Sequence, residues 1–343
     1  MKITQNKTVN NWTEYTLSND TGMSVHFLDY GGIITSIMSP NRDGQMDNIV
    51  LAYDNYDDYK ENPNCFGAII GRVAGRIEQA QFTLNNKTYH LKKNEGEHHL
   101  HGGDTAFHHT LWEATPIYED NRVGVTLTHT SPDGEGGYPG SVSVSVTYWL
   151  TADNDFIIGY EANSDQDTVL TLTNHSYFNL TGLKDTVGQH VVTMDSDQFL
   201  ELDEELIPTG KLHDVSSTPF DLRRGSVLDE GFHSTHLQNE IAGNGYDHYF
   251  LLNEATQPAI SVEDKQSGRI LSITTDQPGV VMYTANGLED GLSLQGGTSR
   301  KHLGVCFETQ GSPASLNHDG LPSIILKASD TYNKQTVFSF RNK

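Results

Sequence analysis

Residues 95–103 read EGEHHLHGG. His98, His99 and His101 fall close together, and Gly102 and Gly103 follow. Imidazoles this close can hold a metal ion, or one of them can move a proton while the others are neighbours. If the segment is extended, His99 and His101 share one face and His98 takes the other. An H-x-H pair on a strand is a legitimate metal fragment. It lacks support here, because Thr105 and Ala106 stand where a helping glutamate would, and Glu113 is too far along. No HExxH is present either. The acid/base reading singles out His101, since a glycine pair behind it lets the backbone bend sharply and approach another group. On that reading His98 and His99 are exposed loop neighbours, and His108 and His109 also lie in a loop.

Three further stretches carry groups that could do chemistry. In TLTNHSYFNL, Asn174, His175, Ser176, Tyr177 and Asn179 set polar groups against an apolar strand. His175 reads either as a satisfied core histidine or as a group whose neighbours select its tautomer and shift its pKa. In GVCFETQGSP, Glu308 follows the apolar run Val305-Cys306-Phe307. A carboxylate at the end of such a strand is desolvated, its pKa rises, and it becomes a general base near neutral pH. The alternative is a strand-end residue pointing at water. GRVAGRI carries Arg72 and Arg76, which share a face if extended and need a carboxylate or a ligand oxygen if buried. GNGYDHYF places Asp247 among aromatic residues in a glycine-rich turn, a way to grip a sugar through its hydroxyls and its apolar face.

The elements that must position these residues are strands. The stretch SVSVSVTYWL puts Val142, Val144, Val146, Tyr148 and Leu150 on one face, with period two. NRVGVTLTHT at 121–130 repeats the pattern, and SPDGEGGYPG at 131–140 predicts an ordered loop joining an antiparallel pair. Strands are also expected at 156–162, 168–180, 190–194, 248–252, 259–264, 268–276, 280–286, 304–310 and 336–342. TLSND and DNYDDY make a turn of helix at most. Regular strands punctuated by turns predict an all-β fold, one large antiparallel sandwich spanning residues 1–343 as a single domain.

Composition narrows the partners. The 343 residues include 22 Lys and Arg against 45 Asp and Glu, a formal net charge of −23. That field repels nucleic acid and anionic membranes, and a neutral substrate suits it better than a phosphorylated one. Cys65 and Cys306 sit in apolar contexts, which argues against a disulfide framework or a cysteine zinc site. MKITQNKTVNNW has no apolar signal core, and a cytoplasmic location is the expectation.

Several stretches together resemble the aldose 1-epimerase, or galactose mutarotase, family from about residue 23 onward: FGAIIGRVAGRI, NEGEHHLHGG, SPDGEGGYPG, LTNHSYFNL, GYDHYF, YTAN and FETQ, in the family's order. The resemblance implies a large β-sandwich that interconverts the α and β anomers of free aldoses such as D-galactose and D-glucose, with no metal or organic cofactor. It implies Glu308 as general base and His175 as general acid. It implies His101 as a second imidazole near the ring oxygen and C1, with Arg76 and Asp247 as substrate clamps. The partner implied is a small sugar, with no nucleic acid and no membrane, and the chain is expected as a monomer or homodimer. One departure is Gly75, where the family usually has Asn. Alternatives are an epimerase of a disaccharide or hexose phosphate on the same fold, or a non-catalytic sugar-binding module.

Overall fold

A computed structural model describes residues 1–253 and 257–343. The first strands, within residues 2–48, form a five-stranded sheet in chain order. The rest of the framework is two large antiparallel sheets. The nine-stranded one begins with β1 (Glu113–Glu119), β2 (Arg122–Ser131), β3 (Val142–Thr151) and β4 (Asp155–Ser164). It continues through the C-terminal strand β15 (Tyr332–Asn342), then β12 (Arg269–Thr275), β11 (Ile260–Glu263), β6 (Val191–Met194) and β9 (Ser226–Val227). The six-stranded sheet runs β5 (Tyr177–Phe178), β14 (Val305–Gln310), β13 (Gly279–Tyr283), β10 (Asp247–Leu251), β7 (Gln198–Leu202) and β8 (Pro208–Asp214).

The alternation read in β3 is the alternation observed. Val142, Val144, Val146, Tyr148 and Leu150 are buried, while Ser143 is exposed. Each such large apolar side chain withdrawn from water contributes roughly 1.5–3 kcal/mol. The main core joins Leu17, Val25 and Phe27 of the first sheet to Leu127, Tyr148 and Ile273 of the nine-stranded one. Phe250, Met282 and Phe307 of the six-stranded sheet pack into the same core.

The six-stranded sheet has two covered faces, and this is what places the site. Along β14 every residue is buried. Val305 and Phe307 enter the core, and by strand alternation Cys306, Glu308 and Gln310 turn to the opposite face. Val280 and Met282 of β13 do the same, leaving Val281 and Tyr283 on the far side with Asp247 and Tyr249 of β10. The pairing aligns Tyr249, Val281 and Glu308 in one cross-strand row, and Asp247, Tyr283 and Cys306 in the next.

The expected β2–β3 pair is present, joined by the 132–141 loop. That loop is fixed by buried Arg72, whose guanidinium donates to Ser131 Oγ (2.8 Å) and to the carbonyls of Ser131 (2.9 Å), Pro132 (2.8 Å) and Pro139 (3.0 Å). One expectation is corrected and two details are added. The 168–180 stretch is not one strand; Thr168–Val169, Thr173–Asn174 and Tyr177–Phe178 each pair with a different partner. Asn174 breaks it by accepting Ser176 N–H with its side chain (3.1 Å), an Asx turn that competes with the ladder. TLSND is the end of a strand, Thr13–Ser18, and the turn after it, whereas DNYDDY gives the expected single turn, Tyr56–Lys60. Two short helices, Asp229–Phe232 and Leu237–Ile241, were not anticipated. Among the described residues no helix is long and apolar enough to cross a membrane.

Candidate active site

The far face of the six-stranded sheet floors a cleft of about 470 Å³. Its polar end gathers Arg76, His101, His175, Asp247 and Glu308, so the five residues singled out in the sequence line one cavity. Its other wall is apolar, with Leu200, Leu202, Leu206, Pro208 and Ile241. A few convergent polar groups in a half-apolar hollow suit a small ligand carrying both hydroxyls and C–H faces.

Glu308 is 3% exposed and His175 5% exposed, and Nε2 of His175 lies 3.5 Å from Oε1 of Glu308. Burial raises the Glu308 carboxyl to about 8; the charge of Asp247 adds to the rise and Arg76 opposes it. Burial lowers the His175 imidazole to about 4. Between those values the pair holds one mobile proton, either on the carboxyl or, as its charge-separated equivalent, on the imidazole.

His101 depends on backbone that only its neighbours permit. It has φ +54°, Gly102 φ +87° and Gly103 φ +71°. A Cβ on Gly102 would sit 2.0 Å from the Gly71 carbonyl oxygen, so this close approach excludes any side chain. The His101 amide donates to Gly75 O (3.2 Å), and the Gly75 amide donates back to His101 Nδ1 (3.1 Å). Nδ1 is therefore an acceptor, and Nε2 carries the proton toward the cleft. The ring meets the His175 ring edge-to-face, with centroids 5.3 Å apart. Burial, followed by the neighbouring His175 and Arg76 charges, holds the His101 pKa well below the ordinary range.

Arg76 is held by Glu95 through two hydrogen bonds of 2.7 and 3.0 Å, and its Nη1 lies 3.6 Å from Asp247 Oδ2. Burial works against the Arg76 charge, but Asp247, Glu95 and Glu308 outweigh it and raise its pKa. Burial raises Asp247 to about 6, with Arg76 pulling it down and Glu95 pushing it up.

Here too the structure corrects the sequence. His98 and His99 are not exposed: they are 7% and 0% accessible. Nδ1 of His99 donates to Lys92 O (2.6 Å), and its Nε2 accepts from Tyr138 O–H (2.8 Å). The ring lies directly under Gly103, whose Cβ would stand 2.7 Å from it. His98 Nδ1 accepts from Gln79 N–H (3.1 Å). His99 and His101 do not act as one face, because the positive φ at His101 ends the strand Leu100 belongs to. His108 and His109 form one tight helical turn, with His108 buried. Arg72 and Arg76 diverge, because Gly75 at φ +86° breaks the extended run. Sequence reasoning missed Glu95 and Cys306. Glu95 could have been found as the counter-ion that Arg76 requires, within the same EGEHH stretch.

His101, His175 and Glu308 present nitrogen and oxygen atoms within 4.8 Å of one another, close enough for one cation to reach all three. The wiring of His101 opposes that use. A ligating nitrogen must be unprotonated, and the Gly75 amide directs the His101 proton to the nitrogen facing the cleft. The same wiring makes His101 a hydrogen-bond donor to a ligand oxygen.

Comparison with known proteins places the chain among sugar epimerases. The model of the family described as aldose 1-epimerase matches residues 13–339. The galactose mutarotase of Mus musculus is 41% identical over 322 residues, covering 93% of this chain and 91% of that one. The aldose 1-epimerase of Haemophilus influenzae is 36% identical over 332 residues, covering 95% of each. The crystal structure of galactose 1-epimerase from Lactobacillus acidophilus superposes with a TM-score of 0.88 at 28% identity, covering 99% of this chain and 98% of that one. With its fold and nearly its whole length matched, the chain belongs to the aldose 1-epimerase family.

Proposed function

We propose that the protein is a mutarotase that interconverts the α and β anomers of free aldohexoses such as D-galactose and D-glucose. The observation that carries this reading is the buried Glu308–His175 pair, sharing one proton across 3.5 Å at the polar end of the cleft. Ring opening uses the charge-separated form of that pair. Glu308 carboxylate takes the proton of the C1 hydroxyl. The O1 electron pair becomes the C1 carbonyl, the C1–O5 bond breaks, and the His175 imidazolium gives its Nε2 proton to O5. Glu308 is then protonated and His175 neutral, the arrangement that closing requires. After rotation about C1–C2, neutral His175 takes the O5–H proton, O5 attacks the other carbonyl face, and Glu308 returns a proton to O1. Atoms and charge balance, and the pair ends as it began.

His101 donates its Nε2–H to the reacting oxygens, while Arg76 and Asp247 hold the remaining hydroxyls. The net charge of −23 favours an uncharged sugar over a sugar phosphate. We read residues 1–343 as one working domain in the cytoplasm. The two buried, unpaired cysteines support a reducing compartment.

The test is polarimetry on freshly dissolved α-D-galactose after chelator treatment of the protein. Acceleration that survives the chelator is expected. A folded protein that speeds neither galactose, glucose nor maltose would overturn the assignment. His175→Ala is expected to lose most of the turnover while the fold persists.

A further inference from the structure

The general acid proposed above has a second nitrogen, and what that nitrogen touches decides whether the first one is free to exchange a proton. His175 lies between two short bridges and is braced by the rings of Tyr177 and His101. Stacking fixes the plane of a ring but not its proton. Nε2 faces Glu308. Nδ1 faces Sγ of Cys306 at 3.5 Å, a sulfur hydrogen-bond distance. The main-chain carbonyl of His175 also lies near the ring and receives the Gly67 amide at 3.0 Å, but its contact with the ring does not reach hydrogen-bond geometry. Among the described residues, no other side chain bonds Nδ1.

We propose that Cys306 is a positioning residue for the reaction: its sulfur holds the Nδ1–H of His175 and so leaves Nε2 as the nitrogen that gives and takes the shuttled proton. The proposal rests on the mutarotase reading for its kinetic part only. Sulfur suits the task because its lone pair accepts the Nδ1 proton's hydrogen bond without taking the proton away. When His175 is neutral, its single ring proton stays on Nδ1 and donates to the sulfur, so Nε2 is free to take a proton from O5–H or from Glu308. When His175 is an imidazolium, Nδ1–H donates to the sulfur lone pair. The ring need not turn between the two states. Strand alternation explains the placement. Cys306 and Glu308 are two positions apart on β14, so one strand holds both ends of the imidazole: the sulfur behind it and the carboxyl ahead. His101 shows a counterpart built from backbone, with the Gly75 amide donating to its Nδ1. The setting is opposite in sense: Nε2 of His101 keeps its proton and stays a donor, whereas Nε2 of His175 is left free to exchange one. Cys306 is fully buried, so solvent does not compete for the contact.

The experiment compares wild type, Cys306→Ala and Cys306→Ser. Nitrogen-15 NMR of histidine-labelled, sugar-free protein reads the His175 tautomer, and polarimetry reads kcat and KM on galactose. Wild type should show a single Nδ1–H tautomer. Cys306→Ala should show a mixture, with kcat reduced about five- to tenfold, the worth of one hydrogen bond, and KM within about twofold. Cys306→Ser, whose hydroxyl oxygen also accepts, should restore the tautomer and most of kcat. An Nε2–H tautomer in wild type overturns the proposal, even if Cys306→Ala fails to fold. So does an alanine variant with unchanged kcat, a loss confined to KM, or equal losses in both variants with the tautomer intact, which marks Cys306 as packing alone. The NMR reading needs no turnover, so a failed mutarotase assignment and a failed tautomer assignment are told apart.

Discussion

Replacing Glu308 with glutamine should weaken the enzyme and strengthen the fold, and the second effect should depend on pH in a calculable way. Glu308 is 3% exposed, and burial lifts its carboxyl from an ordinary 4.5 to about 8. The folded protein thus keeps this proton at pH values where the unfolded chain releases it. The sign follows from linkage: stability falls as pH rises wherever the folded state binds more protons. From this one group the wild type loses about 1.4 kcal/mol per pH unit between roughly pH 4.5 and 8, and nothing further above that. The glutamine amide of the variant has the same shape and no charge to bury. The stability advantage of Glu308→Gln should therefore grow by about 4 kcal/mol between pH 5 and pH 9, then level off. Urea unfolding of both proteins at those two pH values measures it, and shifts shared with Asp247 largely cancel in the difference. Over the same range, turnover of the variant should be down about 10²- to 10⁴-fold, the usual share of a positioned acid/base group. A stability difference constant to within about 1 kcal/mol across that span would refute the argument that burial holds Glu308 protonated.

Other expectations follow from the same geometry. The pH profile of kcat/KM on galactose should be a bell with limbs near about 4 and about 8. Below the first His175 gains a second proton on the pair, and above the second the shared proton is lost; a profile still rising beyond pH 9 would contradict this. His99→Ala removes the bonds to Lys92 and Tyr138 and opens a hole under Gly103, so it should cost roughly 2–4 kcal/mol in thermal or urea unfolding and lower turnover through His101. His98→Ala, which loses one bond from Gln79, should cost about 1 kcal/mol in the same assay. Gly102→Ala forces a methyl to within 2.0 Å of Gly71 O at φ +87°, and should abolish activity or soluble expression, whereas Gly96→Ala has open space and should pay only the strain of its positive φ. Glu95→Gln unties one side of Arg76 and should raise KM severalfold with a smaller change in kcat, read by polarimetry over a range of galactose concentrations.

What the sequence makes legible depends on whether the chain is regular. Where it is, as in β3 and β14, period-two alternation gives the strand, its buried face and the residues left for the cleft. Glu308 was legible for this reason, although it lies inside its strand and not at the end. Irregular backbone hides the rest. The same-face inference for Arg72 and Arg76 and for His99 and His101 assumes an extended chain, and positive φ at Gly75 and His101 removes that assumption. His98 and His99 carry polar rings, which suggests water, yet the Gln79 amide holds one nitrogen of His98 inside, and Lys92 O and Tyr138 O–H hold both nitrogens of His99. No local pattern encodes those partners. Cys306 looked like a small apolar core residue, and its contact with His175 spans 131 positions of sequence. That proximity exists only after β5 pairs with β14, Tyr177 against Cys306.

The six-stranded sheet interleaves two vocabularies on one strand: in β14, Val305, Phe307 and Thr309 alternate with Cys306, Glu308 and Gln310. A slip of one residue in the pairing with β13 would drive Phe307 into the cleft and the Glu308 carboxyl into the hydrocarbon interior. Register error is therefore punished twice, in solvation and in chemistry, and a misaligned chain has neither a sound interior nor a working acid/base pair. This makes the strands poor ground for evolutionary experiment, since a single insertion or deletion there rewrites both faces at once. Novelty in this scaffold is left to segments that carry no such double reading, such as the turn around Glu95 and the Leu202–Pro208 rim, where length can change without moving Glu308 relative to Phe307.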